Sequence, residues 1–189
     1  MINNQSVLNE GNSGKPISQT KPVANSEDVK RKQQKIVGDA FSLAKKTLHN
    51  SMGALTEISK HKAIPRTPGM YNTFKEGEDY FMNASVQFDD MRQAVNDDMG
   101  NSKDEFAQAL EALATASVSH QIYFKNMGDY INTGNLESQR KANRELEKNP
   151  STIMIQATNQ IIKVAGDVGM DSESMKKEIG DMLNEIQRK

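Results

Sequence analysis

The chain has no cysteine and no tryptophan. The missing cysteine excludes a disulfide framework, a cysteine-ligated zinc and a thiol nucleophile. It fits a cytosolic protein, and equally a bacterial protein exported unfolded. Hydrophobic residues make up only 35% of the sequence against 26% charged, and aromatics only 5%. That balance favours an elongated helical protein with thin apolar seams over a globule with a thick core. No run of about 18 apolar residues occurs, so no membrane-spanning helix is predicted. The N-terminus lacks a basic region followed by an apolar core, so no cleaved secretory signal is expected. There is no RGG tract, zinc knuckle or aromatic-rich basic strand, and nucleic acid is not an expected partner.

Motifs for chemistry are equally scarce. The three histidines, His49, His61 and His120, show no HExxH or HxxxH spacing, so no metal site is predicted and no cofactor is expected. The acidic pairs Asp89–Asp90 and Asp97–Asp98 are adjacent in sequence. On a helix they diverge by about 100°, which suits a solvated face and not a paired acid–base site. "GNSGKP" at 11–16 lacks both the GxxxxGK[ST] spacing and a preceding strand. Ser117 and His120, three residues apart, can touch on a helix, yet no third orienting group and no oxyanion hole accompanies them. No catalytic residue is assigned.

What the sequence does have is helical periodicity. Residues 1–25, rich in Asn, Ser, Gln, Gly and Pro, are expected to form a disordered tail, an uncleaved export signal or a docking arm. Ser26, followed by Glu27 and Asp28, suits the start of a first helix over 26–62. Its stripe is Val37, Phe41, Ala44, Leu48, Met52, Leu55 and Ile58. "AIPRTPGMY" ends it in a turn. Thr73 and Glu76, at capping-box spacing, open a second helix over 73–99 with Phe74, Phe81, Ala84, Phe88, Met91, Val95 and Met99 on one face. Ser102 and Glu105 repeat the box for a third helix over 102–148, which "NTGN" at 132–135 kinks or interrupts.

The seam of that third helix runs Phe106, Leu110, Leu113, Ser117, His120, Phe124, Met127 and Ile131. The polar steps Ser117 and His120 read as a register mark and as a place where a second chain can meet this one. Pro150 suits the first turn of another helix, and Asp171 the cap of a last one, within a C-terminal helical segment at 150–189. No strand pair or internal repeat is found. The fold class is therefore all-α: an elongated antiparallel bundle of long helical hairpins with coiled-coil-like seams, its main domain over 26–149.

Charge is unevenly placed. Residues 26–66 hold nine basic and four acidic side chains, a net of +5, and residues 67–113 hold three and ten, a net of −7. A basic helix beside an acidic one in a hairpin attracts. Alternatively, Lys30, Arg31, Lys32, Lys35, Lys45 and Lys46 meet an anionic lipid surface or a protein partner. The eleven methionines suit adaptable apolar contacts, either in a core or with a partner helix.

The stretch "FAQALEALATASVSHQIYFKNMGDYI", Phe106–Ile131, resembles helices of BAR-type domains, including the arfaptin-homology and sorting-nexin branches. "FKNMGDYINTGNLESQRKA" is similar to the end of a BAR helix and its tail, and the likeness extends over about Ser26–Asn149. The resemblance implies an antiparallel homodimer that senses or shapes membranes through basic patches, here Lys30, Arg31, Lys32, Lys35, Lys45 and Lys46, with Arg140, Lys141, Arg144 and Lys148. The expected function is thus a non-enzymatic, self-associating scaffold, cytoplasmic or peripheral to a membrane. The alternative is an exported bacterial protein, such as a type III secretion substrate or structural component.

Overall fold

A computed structural model describes residues 26–59 and 64–188, and these form an all-α bundle with no strand among them. The helices are α1 (Ser26–Ser59), α2 (Pro68–Ala94), α3 (Lys103–Thr133), α4 (Leu136–Glu147), α5 (Pro150–Asp167) and α6 (Ser172–Gln187). A 3₁₀ turn at Asp97–Ser102 joins α2 to α3. The expected tail at 1–25, together with His61 and the end of the predicted first helix, lies outside the described residues.

The helix ends follow cap chemistry, and this corrects three expectations. α2 begins earlier than the Thr73–Glu76 box. Thr67 is extended and its Oγ accepts from the Met70 amide at 3.2 Å, with Pro68 in the first turn. The second proline of "AIPRTPGMY" therefore starts a helix as much as it ends one. Thr73 lies inside α2, where its hydroxyl donates to the Gly69 carbonyl at 3.1 Å. α2 also stops at Ala94, short of Met99. Asn96 accepts from the Asp98 amide and opens the 3₁₀ turn, which passes through Gly100 at φ 55° and buries Met99.

Ser102 does precede α3, but without a side-chain cap bond. Its hydroxyl donates to Asp167, and Glu105 pairs with Lys163 at 2.7 Å, so both tie α3 to α5 in place of a capping box. The predicted third helix is two helices. Gly134, left-handed at φ 75°, donates to the Tyr130 carbonyl at 2.7 Å and ends α3, and the Asn135 side chain caps α4. Pro150 and Asp171 begin α5 and α6 as the sequence indicates.

α3, about 46 Å long for its 31 residues, is the axis of the bundle. α2 runs antiparallel to it on one side, with Tyr71 beside Gly128 and Phe81 stacked on His120. α5 runs antiparallel on another, and α4 folds back over its end. α1 packs mainly on α5 and α6, and only lightly on α2. The attraction expected within an α1–α2 hairpin is therefore not the main pairing. Lys45 of α1 reaches Glu178 of α6 at 2.5 Å. One continuous core runs from Val37 to Ile179, so the segment 150–189 is built into the bundle.

The stripe of α1 is only half used. Val37, Ala40, Phe41, Ala44, Thr47, Leu48 and Ser51 are buried, and no residue of α1 beyond Ser51 is. Met52, Leu55 and Ile58 continue the same apolar line but are only partly buried against the core.

Candidate interaction surfaces

The third-helix seam is an internal surface. Leu110, Leu113, Ser117 and His120 have no exposure, and Phe124, Met127 and Ile131 are at most 4% exposed. A second copy of the chain therefore finds none of these side chains at the surface.

Within the seam, Ser117 and His120 do not pair. The Ser117 hydroxyl donates back to the Leu113 carbonyl at 2.8 Å. His120 instead meets serines from two other helices. Its Nδ1 lies 3.1 Å from the Ala116 carbonyl, which can only accept, so Nδ1 carries the hydrogen and Nε2 is the acceptor. Ser51 of α1 then donates to Nε2 at 2.7 Å, and Ser151 of α5 lies 2.8 Å from the Ser51 oxygen. Phe81 of α2 stacks on the imidazole at 4.7 Å between centroids. Burial pushes the His120 imidazole below its ordinary value, partly offset by the Ala116 carbonyl.

The node thus joins α1, α2, α3 and α5. The sequence did hold a sign of Ser51: it follows Leu48 by three on the buried line of α1. The pairing across 69 residues left no sign. As chemistry the node is inert. Ser51 and His120 are wholly buried, which keeps a substrate from the hydroxyl, and the orienting group is a carbonyl and not a carboxylate. Among the described residues, no group of three or more His, Asp or Glu side chains is placed to hold a metal.

The basic residues divide. Lys30, Arg31, Lys32 and Lys35 are exposed near the start of α1, but Glu27, Asp28 and Asp39 are exposed beside them, and Arg31 lies 3.9 Å from Glu27. Lys45 is tied to Glu178, and the Lys46 ammonium sits over the Tyr80 ring at 5.8 Å. Arg140, Lys141 and Arg144 are on α4, which packs on α3, and Lys148, just past its end, is paired with Glu145 at 2.7 Å. The two basic sets therefore lie on separate helices that pack on different neighbours. No helix of the described residues is long and apolar enough to cross a membrane.

The surface that sequence reasoning missed is a cleft. Beyond Ser51, α1 stands off from α2 and leaves two adjoining spaces of about 480 and 240 Å³. Gly53, Ala54 and Ile58 form the α1 wall, and Met70, Thr73 and Gly77 the α2 wall. Phe81 and Phe124 form the floor, stacked on each other at 5.4 Å. His49, Glu57 and Glu76 stand at the rim. A Cβ added at Gly53 meets nothing within 4 Å. Elsewhere on α2 and α3, Met82, Val86 and Val118 are 41–55% exposed, and a groove lined by Val86 and Val118 also holds Asp89, Asp90 and Glu111.

No family model matches the chain, and no curated protein or solved structure is significantly similar to it.

Proposed function

We propose that the protein is a non-enzymatic helical scaffold whose cleft between α1 and α2 receives the apolar edge of an amphipathic helix from a protein partner. One observation carries this reading. The end of the α1 stripe is apolar at helical spacing but only partly buried, and Ala54 and Ile58 line open space opposite Met70 and Thr73 of α2, with Phe74 and Phe124 at its base. Helix-in-groove recognition uses anchors at such spacing. Charge selects the occupant. Glu76 stands at the α2 side of the cleft, within the stretch of net charge −7, so the flank of the incoming helix that meets α2 is basic.

The test uses a synthetic helix with leucines at i, i+4 and i+7 and lysines on its flanks, against a copy with glutamates for lysines. The lysine peptide should shift the amide resonances of Ala54, Ile58, Gly77 and Phe124, and the glutamate peptide should not. Gly53→Phe, whose Cβ meets nothing within 4 Å, should weaken binding at least tenfold with no loss of thermal stability. Binding untouched by Gly53→Phe rejects the cleft as the site.

A membrane-binding reading rests on the exposed Lys30, Arg31, Lys32 and Lys35. Each basic residue contributes roughly 1 kcal/mol at an anionic surface, and the three neighbouring carboxylates oppose that. Co-sedimentation with anionic vesicles that is lost when Lys30, Lys32 and Lys35 are changed to Glu supports it; the absence of binding at low salt removes it. The reading as an exported protein concerns residues 1–25, and their deletion abolishes export if they are the signal.

A further inference from the structure

We propose that the Ser51–His120–Ser151 node is a pH-operated latch on the α1 wall of the cleft, closed while His120 is neutral and released when it takes up a proton. The consequence for a partner rests on the cleft reading above; the latch itself is a property of the fold.

Three observations place it. Ser51 is the last fully buried residue of α1, and it lies within the stretch of α1 that lines the cleft, between Asn50 and Gly53. α5, on the other side of the node, is held by a continuous buried face from Met154 to Ala165, so α1 is the side that can yield. The cleft floor rests on the same ring, because Phe81 stacks on both His120 and Phe124.

Protonation reverses the chain of donors. With Nε2 unprotonated, Ser51 donates to it and leaves its own oxygen free to accept from Ser151. Once solvent supplies the proton, Nε2–H must donate to Ser51. Ser51 must turn to Ser151, and the half-buried Ser151 hydroxyl must turn outward. The hydrogen bonds survive this reversal, but the charge is left in a dry site.

Nothing packed against the ring neutralises that charge. α1 presents Ser51, with His49 and Glu57 at the cleft rim. α2 presents Phe81, with the Tyr80 hydroxyl directed to Thr47 and Glu78 tied to Lys75. α5 presents Ser151 and has no ionisable side chain over 150–160. α3 contributes the Ala116 carbonyl and, one turn on, Tyr123, which burial pushes up to about 12. Solvent borders the node at the half-buried Ser151 and at the cleft beside Ser51, and parting α1 from the node admits it to the ring.

The pH window follows from linkage. Burial lowers the folded-state value of His120, so the unfolded or opened chain binds the proton more readily than the closed one. The closed state is fully favoured above the ordinary histidine value of about 6.5, and loses ground as the pH falls below it.

Hydrogen exchange on the full chain tests the latch. Protection of the amides of residues 52–59, corrected for intrinsic rates, should fall at least tenfold from pH 7.5 to 5.5, while the α5 amides change far less. His120→Gln should abolish that pH dependence and His49→Gln should keep it. Ser51→Ala, a smaller change, should give the low protection already at pH 7.5 and flatten the profile. A pH dependence that survives in both His120→Gln and Ser51→Ala overturns the latch, as does an equal loss of protection in every helix. Peptide binding at pH 7.5 separates the two readings. If the wall responds to pH but no peptide binds, the docking reading fails alone; if peptide binds and the wall ignores pH, the latch fails alone.

Discussion

Leu113→Ala should lower the stability of the folded chain by about 2–5 kcal/mol. Leu113 has no exposure and sits in the middle of α3, with Ala109, Leu110, Ala116 and Ser117 buried around it. α2 and α5 clamp α3 from different sides, so the space left by the isobutyl group cannot close by the shift of a single helix. The removed methine and two methyl groups lose their transfer energy, and the residual cavity adds to the loss. In urea the midpoint should move down with the slope unchanged, the signature of lost stability in an otherwise intact two-state unit. Ile58→Ala is the internal comparison. It continues a stripe of the same kind, yet it lines an open cleft, and its removal should cost no more than about 1 kcal/mol. Equal costs at the two positions would mean that the cleft is closed in solution.

That contrast also marks where the sequence stops informing. Both residues sit on regular three-and-four spacing, and the periodicity that found each stripe says only that one face is apolar. It does not say whether another helix arrives to cover it. α3 is covered because α2 and α5 both reach it. The end of the α1 stripe is covered only in part, and Ala54 and Ile58 there line the cleft. Periodicity and cap residues did show five helical stretches, the starts of α5 and α6 at Pro150 and Asp171, and a kink or interruption at 132–135, where Gly134 divides α3 from α4. The boundaries that failed were those where two signals competed. Thr67–Pro68 outranked Thr73–Glu76 because a helix has one first turn, and the earlier cap already satisfied it. Ser102 and Glu105 have box spacing, yet tertiary partners on α5 drew both side chains away. His120 was legible as a buried polar step, but its partner is fixed by how α1 and α5 cross α3, which no local pattern encodes.

Two glycines test the same geometry with opposite expected signs. An alanine in a helix interior is normally worth about 1 kcal/mol over glycine. At Gly53 that gain should appear nearly whole, because the new methyl enters open space in the cleft. At Gly77, in the interior of α2, the sign should reverse. A Cβ there would lie 2.3 Å from the Cδ1 of Phe124 and 2.5 Å from its Cε1, well inside contact distance. On the protein side the ring is hemmed in by Phe81 at 5.4 Å, Tyr123 at 5.4 Å and Phe74 at 5.5 Å between centroids, so any retreat has to be toward the cleft and breaks these contacts. Gly77→Ala should therefore destabilise by about 1–3 kcal/mol despite its better helix propensity, as overpacking in a filled core does. A double-mutant cycle identifies the cause. With Phe124→Leu already in place the ring is gone, and Gly77→Ala should become neutral or stabilising, a coupling of at least about 1 kcal/mol between residues in direct contact. If Gly77→Ala stabilises the wild-type chain as Gly53→Ala does, Phe124 does not lie under α2, and the aromatic floor on which both the cleft and the latch depend is absent.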